Sequence, residues 1–150
     1  KWFAPILSFT TEEIYHLIAK EDNEGSIHLQ KFVKIPEQWR NEELNNKWQK
    51  IKLIRDEANI SIESKRAEKI IGSSLEANIE IKIKNQDMFN IAQNHDFSEI
   101  CITSSASISN DKNLEKEIEV ISSKAVGNKC PVCWKISKEI CEKHGHLTVQ

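Results

Sequence analysis

The sequence predicts an α+β fold in three parts: a helical segment over residues 1–72, a small mixed segment over 73–124, and a cysteine-rich module over 125–150. Three observations carry this prediction. Apolar residues recur at steps of three and four before Gly72, they alternate with a period of two just after it, and three of the four cysteines cluster near the C-terminus. A hydrophobic content of 39% and a net charge of −2 are typical of globular proteins and exclude a disordered or membrane-embedded class.

The first part contains two predicted helices. Thr10 and Glu13 form a capping-box pattern, in which the Thr10 side chain caps the helix and Glu13 reaches back to the Thr10 amide. The second and longest helix is predicted over residues 41–71, with Gly72 as its stop signal. Its apolar face is formed by Leu44, Trp48, Ile51, Ile54, Ala58 and Ile62.

The mixed segment begins with a perfectly alternating stretch over residues 78–84, which predicts a half-buried strand. A short helix is predicted near residues 88–92. Residues 97–103 are predicted as a second strand that carries Cys101 as a small buried residue, and the Ser/Asn-rich residues 104–110 as a loop. Weak alternation over 114–121 indicates a third strand.

The terminal module contains the most specific motif of the chain. Cys130 and Cys133 form a CxxC pair, and Cys141 and His144 form a CxxH pair after a seven-residue spacer. Two such turns supply four ligands in the tetrahedral arrangement that Zn²⁺ prefers, and a closed site of this kind is structural. We therefore predict one structural zinc ion, which would supply the folding free energy of a segment too short for its own core. His146 is an alternative fourth ligand, and a set of reduced surface thiols without metal is the alternative to a zinc site.

Trp134 directly follows the second thiolate and has two open interpretations. It is either the only core residue of the zinc module or an exposed plane on which a nucleic-acid base stacks. Residues 31–71 and 124–150 each carry a net charge of +3, which favours an RNA contact. We predict no catalytic residue, because the sequence shows no Gly-rich phosphate loop and no framed nucleophile.

Several stretches resemble the C-terminal end of bacterial isoleucyl-tRNA synthetases. Residues 2–15, WFAPILSFTTEEIY, resemble a segment of the helical anticodon-binding domain of that family. Residues 63–77, ESKRAEKIIGSSLEA, resemble the segment that closes this domain. The terminal CPVCW then follows in the family's order, and the resemblance extends over nearly the whole chain. The chain opens without an initiator Met on the apolar residues 2–7, so we also expect it to begin inside a longer protein.

The resemblance implies that the parent protein is a class I ligase that joins isoleucine to its tRNA with ATP and Mg²⁺. Residues 1–72 would be the end of the anticodon-binding domain, 73–124 a junction, and 125–150 the zinc module. This part would bind the anticodon arm of the tRNA and would be inactive by itself. The partners would be isoleucine-accepting tRNA and the rest of the synthetase, in a cytoplasmic monomer with no membrane and no DNA contact. The residues predicted to contact tRNA are Trp134, Lys135, Arg55 and Arg66.

Two positions depart from the family pattern. The family usually ends in a second CxxC, whereas His144 stands at the last position here and changes the charge of the site by one unit. The family often has Arg before the second Cys, whereas this chain has Val132. The alternative function is a free-standing zinc-stabilised adaptor that binds RNA or protein. A zinc-finger DNA-repair glycosylase tail fits less well, because the capping-box and SLEA segments do not match it.

Overall fold

The computed structural model describes residues 1–18, 25–141 and 143–145. The chain divides into two compact units, Lys1–Asn41 and Glu42–Gln150. Helices together with two small sheets confirm the predicted α+β class. In the described part of the chain, no helix combines the length and the apolar character that a membrane crossing needs.

The first unit is built on helix α1 (Ser8–Ile18). The predicted capping box is wrong, because the helix begins two residues before Thr10. The reason is that the carbonyl of Leu7 already accepts the Thr11 amide at 2.9 Å and the Thr11 hydroxyl at 2.8 Å. The Glu12 carboxylate accepts the amide of Ile27 at 2.9 Å, which fastens a 3-10 turn at Ile27–Leu29 to α1.

The second unit starts with helix α2 (Glu42–Ala67), which confirms the predicted long helix. Gly72 is not its stop signal. The helix ends in a Schellman motif centred on Lys69, whose φ of 59° lies in the left-handed region. The Lys69 amide donates to the Arg66 carbonyl at 2.9 Å, and the Ile70 amide donates to the Lys65 carbonyl at 3.0 Å. A lysine therefore occupies a position that glycine fills in most helices of this type.

Lys69→Gly is expected to stabilise the second unit by about 0.5–1 kcal/mol, because glycine adopts the left-handed conformation without a steric cost. Urea unfolding followed by circular dichroism measures the change. Ala67→Gly, two residues earlier in α2, is the matched control and should instead destabilise by about 1 kcal/mol. A Lys69→Gly variant no more stable than the natural chain would contradict the Schellman assignment.

A three-stranded sheet follows α2, and the first of its strands in the sequence lies in the middle. Strand β1 (Ala77–Ile83) confirms the alternating-pattern prediction, and its odd-numbered residues are buried. It pairs in parallel with β2 (Ser105–Asn110) and antiparallel with β3 (Ile118–Lys124). The buried face of β1 shares one core with the apolar face of α2, which consists of Ile51, Ile54, Ala58 and Ile62.

The connection from β1 to β2 differs from the prediction. It contains α3 (Gln86–Ala92), which confirms the predicted short helix, and α4 (Phe97–Ile100), where a strand was predicted. The Asp96 carboxylate accepts the amides of Ser98 and Glu99, and this N-cap turns the segment into a helix. Cys101 is buried as predicted, but it lies at the C-terminal end of α4 and not in a strand.

The serine-rich segment predicted as a loop is strand β2. Ser105, Ser107 and Ser109 point to solvent, and Ala106 and Ile108 pack against the core. The serines form the solvated face of an alternating strand pattern. The loop prediction was wrong because it relied on the serine-rich composition and not on this alternation. Strand β3 confirms the predicted third strand, and it begins four residues later than predicted.

Candidate metal centre and nucleic-acid interface

The first pair of predicted ligands lies in the tip of a small hairpin. Strands β4 (Asn128–Lys129) and β5 (Ile136–Ser137) pair antiparallel, and the Cys130 amide continues the ladder by donating to the Lys135 carbonyl at 2.9 Å. Gly127 precedes β4 with a φ of 134°. A Cβ atom there would lie 2.2 Å from the carbonyl oxygen of Ser137, so only glycine permits this close approach of the two chain segments.

The hairpin tip surrounds the Cys130 sulfur with backbone donors. The Cys130 side chain is buried. The backbone amides of Cys133 and Val132 hydrogen-bond to its sulfur and lower the pKa of Cys130 to about 6. Burial raises the pKa of Cys133, and the Lys135 amide opposes this effect. Amides that face sulfur are the environment that stabilises thiolate ligands of a metal.

The second pair of ligands comes from a separate turn. The amides of His144 and Gly145 donate to the Cys141 carbonyl at 3.1 and 2.8 Å, and this turn directs His144 towards the hairpin. The ligand atoms of Cys130, Cys133, Cys141 and His144 all lie within 4.8 Å of one another. The fold therefore brings together the four residues that the sequence pattern predicted as ligands, although they are separated by up to fourteen positions.

Three of the six distances between the ligand atoms are close to those around a tetrahedral zinc ion. The Cys133 and Cys141 sulfurs are 3.6 Å apart, and the Nδ1 atom of His144 lies 3.4 Å from Cys141 Sγ and 3.7 Å from Cys130 Sγ. A tetrahedron with Zn–S bonds of about 2.3 Å and a Zn–N bond of about 2.0 Å has edges of roughly 3.5–3.8 Å. The group can thus hold a metal ion with four protein ligands. His146, the alternative fourth ligand, lies outside the described residues.

Trp134 follows the first pair of cysteines and is not the core of the module. Its side chain is 57% exposed, and Lys129 Nζ lies over the indole ring at 5.4 Å from the centroid. Its φ of 65° is in the left-handed region, where a bulky residue is strained. Its amide donates to the Cys130 carbonyl at 2.9 Å, which fixes this conformation. The structure thus presents an aromatic plane to solvent at the cost of local strain.

The cations predicted to contact tRNA lie in two places. Lys135 Nζ donates to Ser98 Oγ at 3.0 Å and to Glu99 Oε1 at 2.9 Å, so its ammonium is already paired within the protein. Arg55 and Arg66 are exposed on α2. Their spacing places them on similar sides of the helix, about 16 Å apart along its axis. Arg66 also donates to Glu63 at 2.7 Å.

Three residues that join the module to the rest of the unit were missed by the sequence analysis. The Ser98 hydroxyl and the Glu99 carboxylate accept hydrogen bonds from the Lys135 ammonium, and the Ser104 hydroxyl accepts one from the Ile136 amide at 2.7 Å. The Asp96 cap could have been found from the spacing of Asp96 and Glu99, which matches an N-terminal helix signal. Nothing in the local sequence indicates that α4 contacts the hairpin.

The sequence of the chain matches a family model over residues 1–82, and that model describes the anticodon-binding domain of tRNA ligases. The chain belongs to this family. The match includes α1, α2 and nearly all of β1. It confirms the resemblance of the helical segment to the anticodon-binding domain, which was noted in residues 2–15 and 63–77.

Curated relatives extend the similarity to the terminal module. The chain is 60% identical over 144 residues to the isoleucine–tRNA ligase of Pelagibacter ubique. It is 36% identical over 147 residues to that of Agrobacterium fabrum and 37% identical over 150 residues to that of Bradyrhizobium diazoefficiens. These alignments include 96%, 93% and 95% of the chain, and in each case 15% of the relative's length. The chain thus spans about a sixth of the proteins that it resembles.

Proposed function

We propose that this chain is the C-terminal, tRNA-binding part of an isoleucine–tRNA ligase. The observation that carries the proposal is the exposed Trp134 beside the Cys₃His group, in a chain whose first half belongs to the anticodon-binding family. Stacking of a base on an exposed aromatic ring is a common way to hold unpaired nucleotides such as those of an anticodon loop. The relatives that carry the name isoleucine–tRNA ligase match both the helical part and the module.

The metal in this proposal is one structural zinc ion held by Cys130, Cys133, Cys141 and His144. Three thiolates and one imidazole leave no open coordination position, so the ion would hold the two turns together and would not activate a substrate. The proposal keeps the boundaries at residues 72 and 124 as limits of the family's sequence segments and not of separate cores, because α2 and β1 share one core. ATP and Mg²⁺ would bind to the remainder of the ligase, in which isoleucine is joined to tRNA.

The remainder of the ligase is also the proposed partner of the first unit. Several large apolar side chains of that unit are far more exposed than is usual: Ile6 is 77%, Phe9 93% and Leu17 81% exposed. A concentration of exposed apolar groups marks a surface that another part of the protein covers. A ligase about six times longer than this chain supplies such a partner and disfavours the free-standing adaptor. We place the ligase in the cytoplasm as a monomer.

The cations of α2 would contribute the part of the affinity that does not depend on sequence. Arg55 and Arg66 are spaced to reach two different phosphates of one RNA strand or hairpin. Lys135 would contribute less than a free lysine, because Glu99 and Ser98 already occupy its donors. Lys129, beside the Trp134 ring, adds a further positive charge at the proposed stacking site.

The proposal predicts that the zinc-loaded chain distinguishes tRNAs by their anticodon. Isoleucine-accepting tRNA should bind about tenfold or more tightly than the same tRNA with an exchanged anticodon, because base contacts are lost and phosphate contacts stay. Filter binding or fluorescence anisotropy at several salt concentrations measures both affinities. The log–log salt slope should be roughly −2 to −5, which corresponds to about three to five phosphate contacts.

Arginine variants provide the control for this comparison. Arg55→Ala and Arg66→Ala should weaken binding to both tRNAs alike and should make the salt slope shallower by about one unit each. Equal affinity of the natural chain for the two tRNAs at moderate salt would show that the module contacts only the backbone. The anticodon-reading part of the proposal would then have to be abandoned.

A further inference from the structure

Two lysines of the metal-binding turns converge on a single carboxylate outside the module. Lys135 lies two positions after Cys133, and Lys143 lies between Cys141 and His144. Their ammonium groups donate to the same Glu99 oxygen, Oε1, at 2.9 and 2.6 Å. The hydrogen bonds from Lys143 and Lys135 lower the pKa of Glu99 to about 2, so the carboxylate is charged throughout the physiological range. Each of the two metal-binding turns is thus tied to the same point of α4.

The anchor point itself is held firmly. The Asp96 carboxylate accepts the amides of Ser98 and Glu99 at 2.8 and 3.4 Å, which fixes the first turn of α4. Ser98 Oγ accepts a further hydrogen bond from Lys135. On the same side of the module, Ser104 Oγ accepts the Ile136 amide and donates to the Leu75 carbonyl. These groups connect the hairpin to both α4 and the sheet through polar contacts.

Among the described residues, the main hydrophobic core does not extend into the module. The hydrophobic core of the second unit contains residues of α2, β1, α3, α4, β2 and β3, and within the described part of the chain it includes no residue beyond Val120. The hairpin of the module follows β3 through the short segment 125–127. The connection is fixed at its start, because Ala125 is buried and its amide donates to the Glu76 carbonyl at 2.7 Å. Beyond this point, the orientation of the hairpin depends on the polar contacts to Glu99, Ser98 and Ser104.

We infer that Glu99 is a positioning residue of the RNA-binding site: it clamps both metal-binding turns to α4 and thereby sets the direction in which Trp134 faces. The inference rests on the proposed function, because it concerns how the Trp134 ring is presented to the anticodon. Trp134 immediately precedes Lys135, so a rotation of the module about its connection displaces the indole plane directly. A stacking surface that is oriented before binding avoids the ordering cost that a loosely attached module would incur.

The clamp also determines what the two lysines contribute. While they are paired with Glu99, Lys135 and Lys143 are not free to neutralise phosphates. Removal of the carboxylate releases two cations next to the RNA site and removes one negative charge. Binding to the tRNA with the exchanged anticodon should then be unchanged or stronger, whereas the contacts of the natural anticodon with Trp134 should weaken. Discrimination between the two tRNAs should therefore fall without a general loss of RNA affinity.

The test is Glu99→Ala in the zinc-loaded chain, with Glu139→Ala as the matched control. Glu139 is an exposed glutamate of the module whose carboxylate forms no ion pair among the described residues. Glu99→Ala should keep about one zinc ion per chain. It should reduce the preference for the natural anticodon over the exchanged one by about twofold to fivefold, which is the upper range for the loss of exposed ion pairs. Glu139→Ala should retain the preference.

An RNA-independent measurement accompanies the binding assay. In ¹⁵N relaxation experiments the amides of β4 and β5 should tumble with those of β1 in the natural chain and faster than β1 in Glu99→Ala. A Glu99→Ala variant that keeps the full anticodon preference, or a module that still tumbles with β1, would overturn the inference. If the natural chain itself shows no anticodon preference, the proposed function fails, and the relaxation measurement alone then decides whether Glu99 clamps the module.

Discussion

Replacement of Cys130 by serine is expected to abolish zinc binding and to unfold residues 126–145 locally. Cys130 is the most buried of the three cysteines in the Cys₃His group, and its sulfur accepts hydrogen bonds from the amides of Cys133 and Val132. Serine does not supply the thiolate that the tetrahedral site requires. Because the binding free energy of structural zinc is the folding free energy of such a module, about 10 kcal/mol or more in isolated zinc fingers, the hairpin should not persist without it. The zinc content, measured by elemental analysis, should fall from about one ion per chain to near zero.

The rest of the second unit should survive this substitution. Among the described residues, its hydrophobic core cluster contains none of the module, and polar contacts such as those of Glu99 and Ser104 join the two. In hydrogen exchange, the amides of α2 and β1 should keep their protection while those of β4 and β5 lose it. Cys101→Ala is the matched control, because Cys101 is a buried cysteine that lies outside the Cys₃His group. Full zinc occupancy in Cys130→Ser would show that the ligand assignment is wrong.

The sequence contains enough information for the elements whose signal is periodic. Helix α2 and strand β1 have strong apolar periods of 3.6 and two, and each lies within a few residues of its predicted bounds. Two of the errors fall where a single polar residue decides the outcome. Asp96 caps α4 and converts a strand-like apolar stretch into a helix. Lys69 adopts the left-handed conformation and ends α2 before the glycine that the pattern indicated.

The residues of the candidate site likewise include some that the sequence predicts and others that it does not. The Cys₃His group was predictable because the chemistry of zinc fixes both the residue types and their spacing within each turn. The exposure of Trp134 was left open by the sequence, since a tryptophan beside a metal turn fits a core and a surface equally well. The contact of Lys135 with Glu99 was unpredictable, because it joins two elements 36 positions apart through side chains with no pattern of their own.

The second large effect concerns Trp134, where stability and binding should change in opposite directions. Trp134→Ala should weaken the binding of isoleucine-accepting tRNA by about 1–3 kcal/mol, which is the range for loss of one stacked base, and should leave the zinc bound. Trp134→Gly should lose a similar amount of affinity. It should nevertheless stabilise the zinc module by about 1 kcal/mol, because glycine relieves the strain of a tryptophan held at a φ of 65°.

This opposition separates a functional tryptophan from a structural one. A side chain that stabilised the module would lower both stability and binding when removed, and its exposure of 57% already argues against that role. Val132→Ala is the control for an apolar truncation in the same turn, since Val132 is 55% exposed and is not aromatic. It should change both quantities by less than about 0.5 kcal/mol. Isothermal titration calorimetry gives the affinity, and thermal unfolding of the zinc-loaded chain gives the stability. If Trp134→Gly binds tRNA as tightly as the natural chain, the strained ring has no part in RNA recognition, and the stacking contact must be sought elsewhere on the molecule.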